Sequence, residues 1–215
     1  MPSRWIDDTV RCPQCHQASP FRRCEWIDFQ SDPRLKESLL DESLFFWRCP
    51  ACGFASRAYY ALTCYDPSKA YCIRLDQEQR SDTCPAHDAP PDILHFRLVR
   101  SGQELQEKIR IFDALCFDGS MECLKRLLGA QLPDPQTPLV FQQLDGDTLL
   151  FSQDQADGDV AIYTAPLASY LSLDQSVQAL WAQSAPPAQA FIHLGPAWAE
   201  MCLRALSRFR GAEPQ

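Results

Sequence analysis

The chain has 215 residues, of which 46% are hydrophobic and 22% charged, the balance of a globular protein and not of a disordered one. No apolar run approaches the ~18 residues a membrane helix needs. A net charge of −8 argues against a general polyanion binder.

The first twenty residues carry Asp7, Asp8 and a cysteine pair where a secretory signal has a basic start and a greasy core. A cytoplasmic, reducing location is the expectation. Residues 1–8 read as a loose lead-in. Phe21, Cys24, Trp26, Ile27 and Phe29 have the bulky character of a strand. Asp32-Pro33 signals a helix start, and Leu35, Leu39 and Leu40 fall on one face of that helix, which ends near Asp41–Ser43. Leu44 to Trp47 reads as a strand, as do 54–65 and 70–75, with Asp66-Pro67-Ser68 as a turn. Residues 76–92 are polar, acidic and proline-containing, hence a loop.

Ile93, Leu94, Phe96 and Leu98 resume as a strand. Ser101 with Glu104 forms a capping box for a helix bearing Leu105, Ile109, Phe112 and Cys116. A second helix, 118–129, presents Met121, Leu124 and Leu128. The segment from Leu132 to Pro138 holds three prolines and reads as a linker. Strands at 139–144 and 148–152 flank Asp145-Gly146, a hairpin signal. A third strand at 160–164, a helix capped by Asp174 and bearing Val177, Leu180 and Trp181, and a short strand at 190–194 follow. The last helix starts at Pro196, with Trp198, Met201, Cys202, Ala205 and Phe209 on its buried side. The aspartates at 145/147 and 154/157/159 lack the ligand order of an EF-hand and read as turn chemistry. The fold class expected is α+β: a zinc-ribbon-like antiparallel sheet with an inserted helix, a helical pair, then a small C-terminal β-meander with helices.

Eleven cysteines stand at 12, 15, 24, 49, 52, 64, 72, 84, 116, 123 and 202. The number is odd, which speaks against a disulfide framework. Four of them form Cys12-Pro-Gln-Cys15 and Cys49-Pro-Ala-Cys52. A CxxC turn can present two thiolates to one ion, and two such turns facing each other complete the tetrahedron that Zn²⁺ prefers. Pro after the first Cys favours the turn, and Gly53 after the second pair supplies the positive φ it often needs. His16 occupies the equivalent place in the first pair. Cys12, Cys15, Cys49 and Cys52 are therefore the candidate ligands of one structural zinc ion. Iron has the same ligand preferences, a redox dithiol uses CPxC, and unrelated buried cysteines are a further reading. Cys84-Pro-Ala-His87 resembles a third knuckle, but Cys64 and Cys72 have no ligand spacing with it, and a loop with incidental Cys and His is the plainer interpretation.

The two CPxC motifs, the run DPRLKESLLDESLFFWRCPACGF, the run YYALTCYDPSKAYCIRL and the later RLVRSGQELQEKIRIFDALCFDGSMECLKRLL resemble the CpXC domain family. The resemblance covers about residues 9–130 and implies a bacterial protein whose four paired cysteines hold zinc, with no assigned reaction. It divides the chain into a zinc-binding domain at 9–130, a linker at 131–138 and a C-terminal α+β region at 139–215.

A closed Cys₄ site leaves no coordination position open for water or substrate, which points to a protein-interaction or adaptor module with another protein as partner. Two alternatives compete. Arg11, Arg22, Arg23, Arg48 and Arg57, with Trp26, Trp47, Tyr59 and Tyr60, could serve a nucleic-acid-binding ribbon. The segment 1–75 holds 10 basic and 9 acidic residues, however, too even a balance for phosphate binding. A thiol-redox enzyme is the other alternative. The sequence has no Gly-rich phosphate loop, HExxH or GxSxG, and His95 and His193 read as structural.

Overall fold

The computed structural model describes residues 2–78, 83–85, 93–184 and 190–210. In chain order the elements are β1 (Arg4–Arg11), β2 (Ala18–Asp28), α1 (Pro33–Leu40), β3 (Phe46–Arg48), β4 (Ala55–Arg57), β5 (Leu62–Asp66), β6 (Tyr71–Leu75), β7 (Thr83–Pro85), β8 (His95–Val99), α2 (Gly102–Asp113), α3 (Asp118–Gly129), β9 (Val140–Asp145), β10 (Thr148–Asp154), β11 (Val160–Pro166), α4 (Leu167–Ser184), β12 (Ala190–Ile192) and α5 (Pro196–Arg210). The mixed α+β class is as expected. The chain forms two compact units: Met1–Gln106 with Gln189–Ile192, and Glu107–Ala188 with His193–Gln215.

The first unit is built on a seven-stranded sheet in the order β1-β2-β5-β6-β8-β12-β7. The β1–β2, β5–β6 and β7–β12 pairs are antiparallel, and β2–β5, β6–β8 and β8–β12 are parallel. Tyr65, Cys72, Ile93, Phe96, Leu98 and Phe191 form one of its buried clusters. The β3–β4 hairpin is a separate two-stranded sheet. Pro33 opens α1 at a position where its missing N–H costs nothing, and Asp66 accepts the Ser68 N–H to close the turn before β6. The Ser101–Glu104 box forms: the Glu104 N–H donates to Ser101 Oγ at 3.1 Å, and the Glu104 carboxylate accepts from Arg100 N at 2.7 Å.

In the second unit β9, β10 and β11 form an antiparallel meander, with Gly146 at φ +55° in its first turn. Phe141, Phe151, Met121, Tyr170, Val177 and Ala199 lie in its core. The helix at 118–129 is found as expected.

Six expectations are corrected. Residues Arg4–Arg11 are a strand and not a loose lead-in; pairing to β2 overrides their polar composition. The 54–65 strand is split, because the chain leaves β4 at Arg57 and starts β5 at Leu62. Residues Ser43–Phe45 are a 3₁₀ turn before β3. Within 76–92, Thr83–Pro85 is a strand paired to β12. Asp174 lies inside α4, which begins at Leu167, and instead of capping it accepts from the Tyr170 hydroxyl at 2.9 Å. Met201 is also exposed on α5, whereas Cys202 and Ala199 are buried. The side chains of Cys84 and Phe209, and His87 altogether, lie outside the described residues.

Candidate metal centre

Each CPxC pair sits at the tip of an antiparallel hairpin. Cys12 and Cys15 follow β1 and precede β2; Cys49 and Cys52 lie between β3 and β4. The two turns repeat one hydrogen-bond pattern. In the first, Cys12 N donates to Gln17 O (2.9 Å) and His16 N to Cys12 O (2.9 Å). In the second, Cys49 N donates to Phe54 O (2.7 Å) and Gly53 N to Cys49 O (3.0 Å). The residue after each second cysteine takes a left-handed conformation, His16 at φ +61° and Gly53 at φ +77°. Gly suits that conformation, and His adopts it under strain.

The turns bring the four sulfurs within 4.8 Å of one another. Cys12 Sγ lies 3.7 Å from Cys52 Sγ, and Cys15 Sγ lies 3.6 Å from Cys49 Sγ. These are far from the ~2.05 Å of a disulfide. They match the ~3.8 Å edge of a tetrahedron whose metal–sulfur bonds are ~2.3 Å. The four cysteines can therefore hold a metal ion. Among the described residues this is the one group of three or more Cys, His, Asp or Glu side chains close enough to do so.

Backbone N–H groups aim at the sulfurs, from Gln17 to Cys15, from Phe54 to Cys52, and from Cys52 and Ala51 to Cys49. Burial opposes a charge on Cys49, but these donors and the neighbouring thiols outweigh it and bring its pKa down to about 7. For Cys52 the Phe54 N–H favours the thiolate, yet burial and the other three sulfurs prevail and push it up to about 12. Four sulfurs this close cannot all be thiolates unless a cation replaces their protons. Around them Cys12, Cys49 and Trp47 are buried, with Val10, Phe21, Phe54 and Ala58 packed against them.

The family model described as CpXC protein matches residues 10–125, just over half of the chain and both cysteine pairs. The chain belongs to the CpXC family. No curated protein and no solved structure matches it.

Of the arginines named above, Arg11, Arg22, Arg23 and Arg57 are engaged within the chain, and Arg48 is exposed. Arg4 pairs with Glu25 (2.5 Å), Arg23 with Asp8 (2.9 Å) and Arg57 with Glu42 (2.6 Å). Arg22 stacks over Trp5, and Arg11 donates to His16 O. The aromatic residues are engaged as well. The Tyr59 hydroxyl donates to Glu42, the Tyr60 hydroxyl accepts from Cys24 N, Trp26 packs on Tyr65, and Trp47 is buried.

Periodicity did not reveal a buried charge network in the second unit. Lys108 Nζ is 2.9 Å from Glu122 and 3.2 Å from Asp118, and it donates to Leu194 O at 2.8 Å. Lys125 bridges Glu107 (2.7 Å) and Glu122 (3.2 Å), while Glu107 also accepts from Phe141 N. Burial opposes the charge on Glu122, but the Lys108 and Lys125 ammonium groups outweigh it and hold its carboxyl below the usual range. Burial pushes Glu107 up, against the pull of Lys125. The charges satisfy one another, which suits a structural role for the helix pair.

Proposed function

We propose that the CpXC chain is a zinc protein whose single Cys₄ centre is structural, and that it works as a protein-interaction module. The observation that carries the metal reading is the spacing of the sulfurs: edges of 3.6 and 3.7 Å between two knuckles of matching backbone geometry, with N–H donors supporting the thiolates. Zinc is preferred over iron because a closed thiolate tetrahedron without redox demands is its common structural use. Four protein sulfurs fill the coordination sphere, so the ion supplies folding free energy and no open position for substrate. The β3–β4 hairpin, a separate sheet of two three-residue strands, needs such a staple.

The adaptor reading rests on that closed centre and on the ion pairs that Arg23 and Arg57 make with Asp8 and Glu42, which weaken the nucleic-acid alternative. A reducing, cytoplasmic setting fits ten described cysteines that are all free. Metal analysis of the purified chain tests the centre: one zinc per chain is expected, and its loss in Cys49→Ser. The interaction reading is tested by comparing the proteins that copurify with the wild type and with Cys49→Ser. A partner retained only by the zinc-loaded chain is expected. A strong, salt-dependent shift of nucleic acid by the loaded chain would instead favour the ribbon alternative.

A further inference from the structure

The four cysteines of the cluster are not equally exposed. Cys12 and Cys49 are buried, at 0% and 1% exposure, Cys15 is half-buried and Cys52 is exposed. Cys49 receives two backbone N–H groups and Cys52 one, and each such bond draws charge from a thiolate and lowers its nucleophilicity. Elsewhere Cys24, Cys64, Cys72, Cys116, Cys123 and Cys202 are all buried. Burial also pushes the Cys24 and Cys116 thiols up to about 11 and Cys72 to about 12, which leaves them unreactive. Among the described cysteines, Cys52 is thus the exposed one, with Cys15 half-buried and the rest buried.

We propose that this exposure makes the centre a redox-releasable zinc site, entered at Cys52 by small organic disulfides such as oxidised glutathione. The inference rests on the zinc reading above and adds to it a point of attack and a consequence. The Cys52 thiolate attacks one sulfur of the glutathione disulfide. That S–S bond breaks, a Cys52–glutathione bond forms, and one glutathione thiolate leaves with the electron pair. Cys12 Sγ, 3.7 Å away, then attacks Cys52 Sγ and expels the second glutathione thiolate, leaving a Cys12–Cys52 disulfide. The two cysteines give up two electrons and the glutathione disulfide takes them. Both leaving thiolates are protonated by solvent. With two of its four thiolates consumed, the ion departs.

The test uses the full chain in a Cys84→Ser background, so that this cysteine adds no label. Metal content is measured first. Oxidised glutathione is then added, released zinc is followed with a chromogenic chelator, and samples are acid-quenched at intervals, alkylated, digested and mapped by mass spectrometry. Expected are a glutathione adduct at Cys52 at least about tenfold ahead of any buried cysteine, a Cys12–Cys52 disulfide after it, and one zinc released per chain in step. First modification at Cys24, Cys64, Cys72, Cys116, Cys123 or Cys202 overturns the proposal, as does zinc retained after Cys52 is fully modified. A chain that carries no metal before the oxidant is added overturns the zinc reading itself. A loaded chain that reacts elsewhere leaves that reading standing and removes only the entry point.

Discussion

Residues 16 and 53 occupy equivalent places in the two knuckles and share a left-handed backbone, but only one is glycine. A Cβ at Gly53 would meet nothing within 4 Å. The cost of Gly53→Ala is therefore purely conformational, about 1 kcal/mol. His16→Gly runs in the opposite direction: relief of the strained φ outweighs the entropy of a freer unfolded chain, for a gain of about 0.5 kcal/mol. Competition titrations with a chelator should show zinc held several-fold more weakly by Gly53→Ala and slightly more tightly by His16→Gly. Equal effects of one sign would show that the two turns do not work alike. This level was the most legible in the sequence. Two CPxC pairs point to facing knuckles from spacing alone, so Cys12, Cys15, Cys49 and Cys52 could be named before any fold was known. The exposure gradient among them could not, because it depends on Trp47, Phe21 and Phe54, brought in from β3, β2 and the turn before β4.

At the level of elements, periodicity found most helices and strands but misjudged those whose identity rests on pairing and not on their own composition. Arg4–Arg11 looks like a solvated tail until it is paired to β2, and β12 finds its neighbours β8 and β7 about a hundred residues earlier in the chain. Nothing in the sequence marks Glu107, Lys108, Asp118, Glu122 and Lys125 as buried, since charged residues are almost never fully buried unless paired. Their burial follows from mutual pairing that no local pattern encodes. Lys108→Ala leaves Asp118 and Glu122 buried with one cation fewer, and should destabilise the second unit by about 3–5 kcal/mol, measured by urea denaturation. Burial disfavours the Lys108 charge, but Glu122, Asp118 and Glu107 outweigh it and raise its pKa. For a base raised on folding, the stabilisation is complete below the unfolded value of ~10.4 and is lost only as pH rises past it. The penalty of Lys108→Ala should thus be unchanged between pH 7 and 9. A penalty that fades within that range would show the network to be solvated.

In the whole molecule, the knuckles belong to the first compact unit, and the second has its own core of helices and a meander. Chelation should act accordingly. Hydrogen exchange after metal removal should accelerate through β1 to β4, while α3, α4, α5 and β9 to β11 keep their protection. Uniform loss of protection would mean that the ion supports both units. The mixed sheet itself lay beyond sequence reading, because antiparallel and parallel neighbours are chosen by long-range packing and not by the alternation within a strand.

The most direct test of the four-sulfur centre is X-ray absorption at the metal edge, combined with metal quantification on the full chain purified without chelator. One zinc per chain with four sulfur neighbours at ~2.3 Å is the predicted result. A chain free of metal, with Cys12–Cys15 and Cys49–Cys52 joined as disulfides, would contradict it.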